Sequence, residues 1–462
     1  VPDPPFPDDL REWIEHVGGG SLVESVRRPG GARKEAWFVD LERTDGGRFP
    51  LFLRYDRSTD AGPSDPWTIH REGQVYLALQ GTDVPVPNVL GVHDRHQAML
   101  MERLDGENWF SRIADPVEAE STAREFMVHL AALHRLDPGT LHVPALGRTR
   151  TVGEAVAREL DEFEDILRHR GGVVNPALEF SIDWLRRNVP AADEPTRLVQ
   201  GDTGPGNFLF DDGHVVAIVD WELAHLGDPM DDIAWLTLRT AQDAFPDLPA
   251  RLREYEALSG RSVDDDRVAY YQLMAETKLQ VMGHQPSAPP GHDSVDEGGG
   301  HDIGNSMIYT MLHRRLWLEA LARVVGIERT EPEPLPARAP TRYDALSDAV
   351  LEQLREVIVP RIGDPLAKQR AKGLARVIKY LAALDTASAF YDECELEDLA
   401  ALLGARPSSL DDGHATVIAE HRRGTIGDAD YVALLWRRVA RESSLMATAM
   451  GALAERHWPP LR

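Results

Sequence analysis

Sulfur, positive charge and long apolar runs are all scarce in this chain of 462 residues. Cys394 is the only cysteine, so no disulfide can close within the chain and no zinc site can be built from thiolates. That usage fits a reducing compartment, and a cytoplasmic location is the expectation. No apolar stretch reaches the ~20 residues that a membrane helix needs. The opening Val1-Pro-Asp-Pro-Pro-Phe-Pro7 lacks the pattern of a signal peptide. Lys and Arg number 50 against 76 Asp and Glu, for a formal net charge of −26. This deficit argues against nucleic acid as a partner, because phosphate contacts need clustered cations. It argues equally against an anionic membrane surface. It is compatible with a cationic substrate, and also with nothing more than a well-solvated surface.

What is present sorts into two textures. Residues 9–17 read as a short helix, followed by strand-like segments at 21–27, 36–41 and 48–55. Pro29-Gly30-Gly31 and Thr44-Asp45-Gly46-Gly47 separate these strands as turns. Residues 68–80 have helical spacing, and two further strands are expected at 88–92 and 98–103. From about residue 117 the periodicity is mostly helical. His284–Asp302 is rich in Gly, Pro, Asp and His. Its histidines and carboxylates (His284, His292, His301, Asp293, Asp296, Asp302) lack regular ligand spacing and read as a mobile loop. Four prolines between Thr330 and Pro340 mark a semi-rigid linker. Beyond it, Leu346, Val350, Leu351, Leu354 and Val357 form one helical stripe and Leu374, Val377, Ile378 and Leu381 another. Both are expected to be core. The domains expected are 1–104, 105–329, a linker at 330–340, and a helical domain at 341–462.

The chemistry concentrates in Leu198-Val-Gln-Gly-Asp-Thr-Gly-Pro-Gly-Asn-Phe-Leu-Phe210 and Val215-Val-Ala-Ile-Val-Asp-Trp-Glu222. Asp202 and Asn207 have the D-x-x-x-x-N spacing of a kinase catalytic loop, and Asp220 ends the next strand. An Asp can accept a hydroxyl proton, while an Asn and a second Asp offer the oxygen ligands that Mg²⁺ prefers. Each of the three is also an ordinary turn or strand-end residue, so their joint offsets carry the reading. Asp228 precedes Pro229 and a helical run, which is capping chemistry, and Asp231 and Asp232 suit the positive end of that helix. His134, at the end of a helix, reads as a core or capping histidine.

Residues 20–330 resemble the aminoglycoside phosphotransferase family, a branch of the protein-kinase-like fold. The phrase Val219-Asp-Trp-Glu-Leu-Ala-His-Leu-Gly-Asp-Pro-Met-Asp-Asp-Ile-Ala234 is similar to that family's metal-binding segment almost throughout. The resemblance implies an α+β, bilobal fold with a small antiparallel β lobe and a large helical lobe, here followed by an all-α domain. It implies ATP (GTP is not distinguished), Mg²⁺ and a small-molecule hydroxyl as acceptor. Asp202 would be the catalytic base, and Asn207 and Asp220 the metal ligands. Arg54 would stand where the family has a phosphate-contacting lysine, set by Glu72. Backbone groups of Gly31 and Ala32 would cover the phosphates, and those of Glu102 and Leu104 would meet the adenine.

Two positions depart from the pattern. Gln200 replaces the usual His two residues before the Asp, and Arg54 replaces Lys. A nucleotide-binding pseudokinase or scaffold, acting through self-association or a protein partner at residues 341–462, is therefore the alternative. As acceptors, an aminoglycoside-like antibiotic and a hydroxylated acyl metabolite both stand. The first suits the acidity. The second is suggested because part of the lobe also resembles kinase domains joined to acyl-CoA dehydrogenases.

Overall fold

Alternating side chains on three successive strands decide the first part of the fold. The computed structural model describes residues 6–28, 34–57, 66–284, 302–337 and 342–462. Helix α1 (Asp8–Gly18) leads into β1 (Ser21–Arg28), β2 (Glu35–Glu42) and β3 (Arg48–Asp56); α2 (Ile69–Leu79), β4 (Val89–Val92) and β5 (Gln97–Glu102) follow. The five strands form one antiparallel sheet in the order β1-β2-β3-β5-β4. The β2–β3 turn is tightened where Asp45 Oδ1 accepts the Gly47 N–H at 2.9 Å and Gly46 takes φ 82°. Leu51, Leu53 and Tyr55 point from β3 into a core shared with Trp37, Val39 and Leu41 of β2 and with Leu10 and Ile14 of α1. Period-two alternation sends Phe52 and Arg54 to the opposite face.

The helical elements continue with α3 (Pro116–Arg135), α4 (Val152–Arg170) and α5 (Pro176–Arg187), then the short strands β6 (Arg197–Val199), β7 (Phe208–Asp211), β8 (His214–Ile218) and β9 (His225–Gly227). After these come α6 (Pro229–Gln242), α7 (Leu248–Ser259), α8 (Asp265–Gly283) and α9 (Ile303–Val325). The chain ends with α10 (Arg342–Glu352), α11 (Pro365–Leu403), α12 (Leu410–Arg422) and α13 (Asp428–Met450). Helices α3, α6 and α11 each begin with Asp-Pro. In each the aspartate accepts a first-turn N–H and the proline occupies a position whose own N–H would be unpaired. Among the described residues no helix is long and apolar enough to cross a membrane.

The chain divides into two compact units, and not at the prolines. One holds Val1–His169, Asn188–Tyr271 and Pro459–Arg462; the other holds Arg170–Arg187 and Gln272–Trp458. Helix α9 belongs to the second because it packs along α11 and α13. Its Arg315 donates to Ser443 Oγ at 2.9 Å and to the Leu453 carbonyl at 3.0 Å. The described part of the proline-rich segment is not a free spacer either. The Thr330 carbonyl accepts from Trp436 Nε1 at 3.0 Å, and Glu333 binds Arg441 and accepts from the Tyr391 hydroxyl at its carbonyl.

The two apolar stripes correct the sequence expectation. Leu346 is 61% exposed, Leu374 53% and Leu381 57%. Helix α10 packs on α11 and on a π-helical segment, Gln353–Ile358, and much of both stripes stays uncovered. Cys394 lies half-buried on α11.

Within the second unit α9 and α11 touch backbone to backbone. A Cβ on Gly304 would lie 2.2 Å from the Gly373 carbonyl oxygen and 2.5 Å from its Cα. Gly304→Ala is therefore expected to lower the unfolding free energy by about 1–3 kcal/mol through overpacking. Gly363→Ala, where a Cβ meets nothing within 4 Å, leaves it nearly unchanged. Urea denaturation of both variants followed by circular dichroism checks the difference.

Candidate active site

A buried glutamate on α2 gathers charges onto the open face of the sheet. Thr68 caps the helix by accepting the Arg71 N–H, which places Glu72 in the first turn with no exposed surface. Glu72 Oε2 meets Arg54 Nε at 3.0 Å and Lys34 Nζ at 3.5 Å. Glu222 Oε2 binds the same two cations, at 3.2 Å from Arg54 Nη2 and 2.9 Å from Lys34 Nζ. Arg54 Nη2 also reaches Asp220 Oδ1 at 2.9 Å. Two cations thus face three carboxylates. Burial works against the charge on Arg54, but Asp220, Glu72 and Glu222 together hold its pKa well above the usual guanidinium value. For Glu72 burial wins and raises its pKa despite Arg54 and Lys34, so its ionised form depends on keeping both cations.

Asp220 sits at the end of β8 with φ 63°, a region that a β-carbon penalises. Two contacts hold it there. Its N–H donates to the Tyr76 hydroxyl at 3.1 Å, and the preceding Val219 N–H donates to the Asn207 carbonyl at 2.9 Å. The strand pair β7–β8 therefore joins Asn207 to Asp220 through main-chain geometry.

The loop between β6 and β7 is shaped from beneath by Asp232. This α6 carboxylate has no exposed surface. It accepts the Gln200 N–H at 2.9 Å, the Gly201 N–H at 2.8 Å, the Thr203 hydroxyl at 2.6 Å and His134 Nε2 at 3.0 Å. His134 is itself fully buried and bonded through Nδ1 to the Tyr255 hydroxyl at 2.7 Å. Burial disfavours the Asp232 charge, yet these donors hold its pKa below the usual carboxylate range. Gly201 is obligatory here, with φ 78° and a notional Cβ only 2.4 Å from the Leu223 carbonyl oxygen. Gln200 Nε2 donates to the Val219 carbonyl at 2.7 Å, so its side chain ties the loop to the residue before Asp220.

On the upper side of this loop Asn207 Nδ2 donates to the Asp202 carbonyl at 2.7 Å. The Asp202 carboxylate forms a two-pronged pair with Arg239 of α6, Nε to Oδ1 at 2.8 Å and Nη2 to Oδ2. Burial raises the Asp202 pKa, and Arg239 offsets this only in part. Asp228 plays the capping part expected of it, accepting the Met230 N–H at 3.0 Å while its second oxygen binds Arg267 Nη2 at 2.6 Å.

The structure brings Arg54, Glu72, Asp202, Asn207 and Asp220 into one region. Glu102 ends β5, beside β3; its N–H is taken by the Asn88 carbonyl at 2.9 Å. Leu104 follows in the connection to the Glu107–Phe210 bridge, which fastens this segment to β7. Gly31 and Ala32 lie outside the described residues, as do residues 285–301. Sequence reasoning missed Lys34, Glu222, Arg239 and the loop-shaping part of Asp232. A signal existed for Lys34: Ala36 pairs with Arg54 across β2 and β3, and alternation carries Lys34 to the same face. None existed for Arg239, which lies in the last turn of a mostly buried helix.

Asp232→Asn replaces an acceptor with an amide whose NH₂ has no place among these donors. The expected loss is about 2–4 kcal/mol of stability near neutral pH. Because the folded pKa is depressed, the aspartate's contribution is present above its unfolded pKa and is lost as pH falls through the folded value. The asparagine variant loses that acid-side slope, which thermal melts across pH read directly.

Residues 26–272 match the model of the phosphotransferase enzyme family. Among curated proteins, the chain is 31% identical over 185 residues to the probable acyl-CoA dehydrogenase IBR3 of Arabidopsis thaliana, covering 36% of this chain and 22% of that protein. It is 29% identical over 198 residues to acyl-CoA dehydrogenase family member 10 of Mus musculus, covering 41% and 18%. The chain thus spans about a fifth of the length of these relatives. Among solved structures, macrolide 2'-phosphotransferase MphH from Brachybacterium faecium aligns at 19% identity over 60% of this chain and 92% of that one, with a TM-score of 0.43. The family match takes in the charged sheet face, the loop bearing Asp202 and the strand end bearing Asp220, and the chain belongs to the phosphotransferase enzyme family.

Proposed function

We propose that this phosphotransferase moves the γ-phosphoryl group of ATP to a hydroxyl of a small molecule, with Mg²⁺ as cofactor. The observation that carries the reading is the convergence of Asp202, Asn207 and Asp220 beside the Arg54–Glu72 pair. In this reading Asp202 receives the hydroxyl proton, and Arg54 and Lys34 neutralise the non-transferred phosphates. Among the described residues no group of three or more His, Cys, Asp or Glu is arranged to hold a metal. Mg²⁺ asks for less, since one or two protein oxygens suffice where phosphates and waters complete the shell. The Asn207 amide fits that need: its nitrogen is spent on the Asp202 carbonyl, which leaves its oxygen, with the Asp220 carboxylate, as the donor pair. When bound, the ion would neutralise charge on the phosphates. Since the Glu102 N–H is engaged within the sheet, any purine contact there uses its carbonyl and the Leu104 main chain.

The acceptor we propose is a hydroxylated metabolite, neutral or anionic, in preference to a polycationic aminoglycoside. Arg239 carries a buried guanidinium directly against Asp202, which places positive charge beside the acceptor hydroxyl. The same clamp favours the second reading, a nucleotide-binding scaffold without turnover, because a base held by two hydrogen bonds must be released before it can act.

Phosphate incorporation into a panel of hydroxy acids, hydroxyacyl thioesters and aminoglycosides separates these readings. Transfer to the first two classes and not the third is expected. Nucleotide binding with transfer to none would replace the enzyme with the scaffold. Asp202→Ala is expected to cut kcat by about 10²–10⁴-fold, and Asp220→Ala to abolish turnover; unchanged rates in both would end the assignment. Lys34→Met removes one charge-assisted contact to phosphate, so ATP and ADP bind about 10- to 100-fold more weakly, while adenosine binding is unchanged. Calorimetric titration with the three ligands checks it.

A further inference from the structure

The helical unit contains two adjoining cavities that share Leu354, one of 730 Å³ and one of 410 Å³. Each falls in the range of small-molecule pockets. The smaller is walled by Leu346, Val350, Ile358, Leu374 and their apolar neighbours. Of these, Leu346, Val350 and Leu374 are stripe residues that fail to find cover. The larger has a buried apolar floor of Ile308, Ala449 and Met450, each under 5% exposed. Its rim is different. Among the described residues, Arg355, Lys372, Arg376 and Lys379 line it and no Asp or Glu does. In a chain with 76 acidic residues against 50 basic ones, a lining with four cations and no carboxylate is a local reversal of sign.

Asn305 of the lining donates to Asp302 Oδ2 at 3.1 Å, a carboxylate outside the lining whose other oxygen caps α9 by accepting the Gly304 N–H at 3.1 Å. Lys379 Nζ donates to the Thr448 carbonyl at 3.3 Å, and Arg376 is positioned by Asn305. Arg355 pairs with Glu356 at 2.6 Å, a residue outside the lining. The turn Gly451–Glu455 that follows α13 also borders the cavity, and its Leu453 carbonyl accepts from Arg315 at 3.0 Å. The shared wall is the π-helical segment Gln353–Ile358, which supplies Leu354 to both cavities, Arg355 to one and Ile358 to the other. Wide turns of this kind recur at functional sites.

We propose that this trough binds a single-chain amphiphile with an anionic head, its acyl tail along Leu346, Val350 and Leu374 and its head among Lys372, Arg376 and Lys379. A second copy of the chain fits less well. An isologous pairing would set each cationic rim near its own symmetry mate, with no carboxylate in the lining to receive it. The inference stands independently of the reaction proposed above.

The test is calorimetric titration of the full chain with dodecanoate below its micelle concentration. Micromolar affinity with one site per chain is expected. Hexanoate, with the same head and six fewer methylenes, binds more than about 100-fold more weakly, and dodecyltrimethylammonium does not bind at that site. The double variant Lys372→Glu/Arg376→Glu and the surface variant Leu374→Asp each weaken dodecanoate by at least about tenfold, with melting temperatures unchanged. Equal binding of the anionic and cationic amphiphiles, or unchanged affinity in both variants, would overturn the proposal. So would sedimentation showing a dimer that Leu374→Asp dissociates, which would give the face to a second copy.

Discussion

One buried carboxylate sets the geometry on which the rest of the site depends. Asp232 receives two consecutive loop amides, a hydroxyl and an imidazole, four donors from two segments of the chain. Such a group is costly to bury and costlier to leave unpaired. The chain from Gln200 to Thr203 therefore has one arrangement in which all these donors are satisfied. That arrangement turns Asp202 upward to Arg239 and Asn207 back onto the Asp202 carbonyl. Gln200 extends the same constraint to Val219, and so to the strained backbone of Asp220. A second anchor, Glu72, does the corresponding work on the sheet, fixing Arg54 and Lys34 against the same Asp220 and Glu222.

The sequence was most legible where the cause of structure is local. Gly-rich turns between alternating strands mark β1, β2 and β3 to within a residue or so, and Asp-Pro pairs mark helix starts. The offsets among Asp202, Asn207 and Asp220 are local too, because a short hairpin holds the latter two together. Lys34, Arg239 and the organising part of Asp232 depend on pairings between segments that only the folded chain brings near. Asp232 reads correctly as a residue favoured at a helix start, and that reading says nothing of what approaches from the other side. Gln200 shows the converse: its departure from the family histidine loses a titratable group while keeping a hydrogen-bond donor at the place where the loop needs one.

The stripes on α10 and α11 mark the limit of periodicity as an argument. Helical spacing of leucine and valine establishes that a face is apolar; it cannot say which neighbour covers that face, or whether any does. On α9 and α13 comparable residues are buried. On α10 and early α11 they stand open beside a cationic rim. The bulk charge of −26 is an average of the same kind, and it does not show a cluster of cations confined to a few turns of helix.

The lone thiol of Cys394 has a practical corollary. It sits half-sheltered on α11, where burial first, and then nearby carboxylates including Glu333, push its pKa above the usual thiol value. Thiol-directed reagents have a single cysteine to modify in these 462 residues. A fluorophore or spin label placed there reports on the helical unit alone, with a stoichiometry fixed by the chain itself.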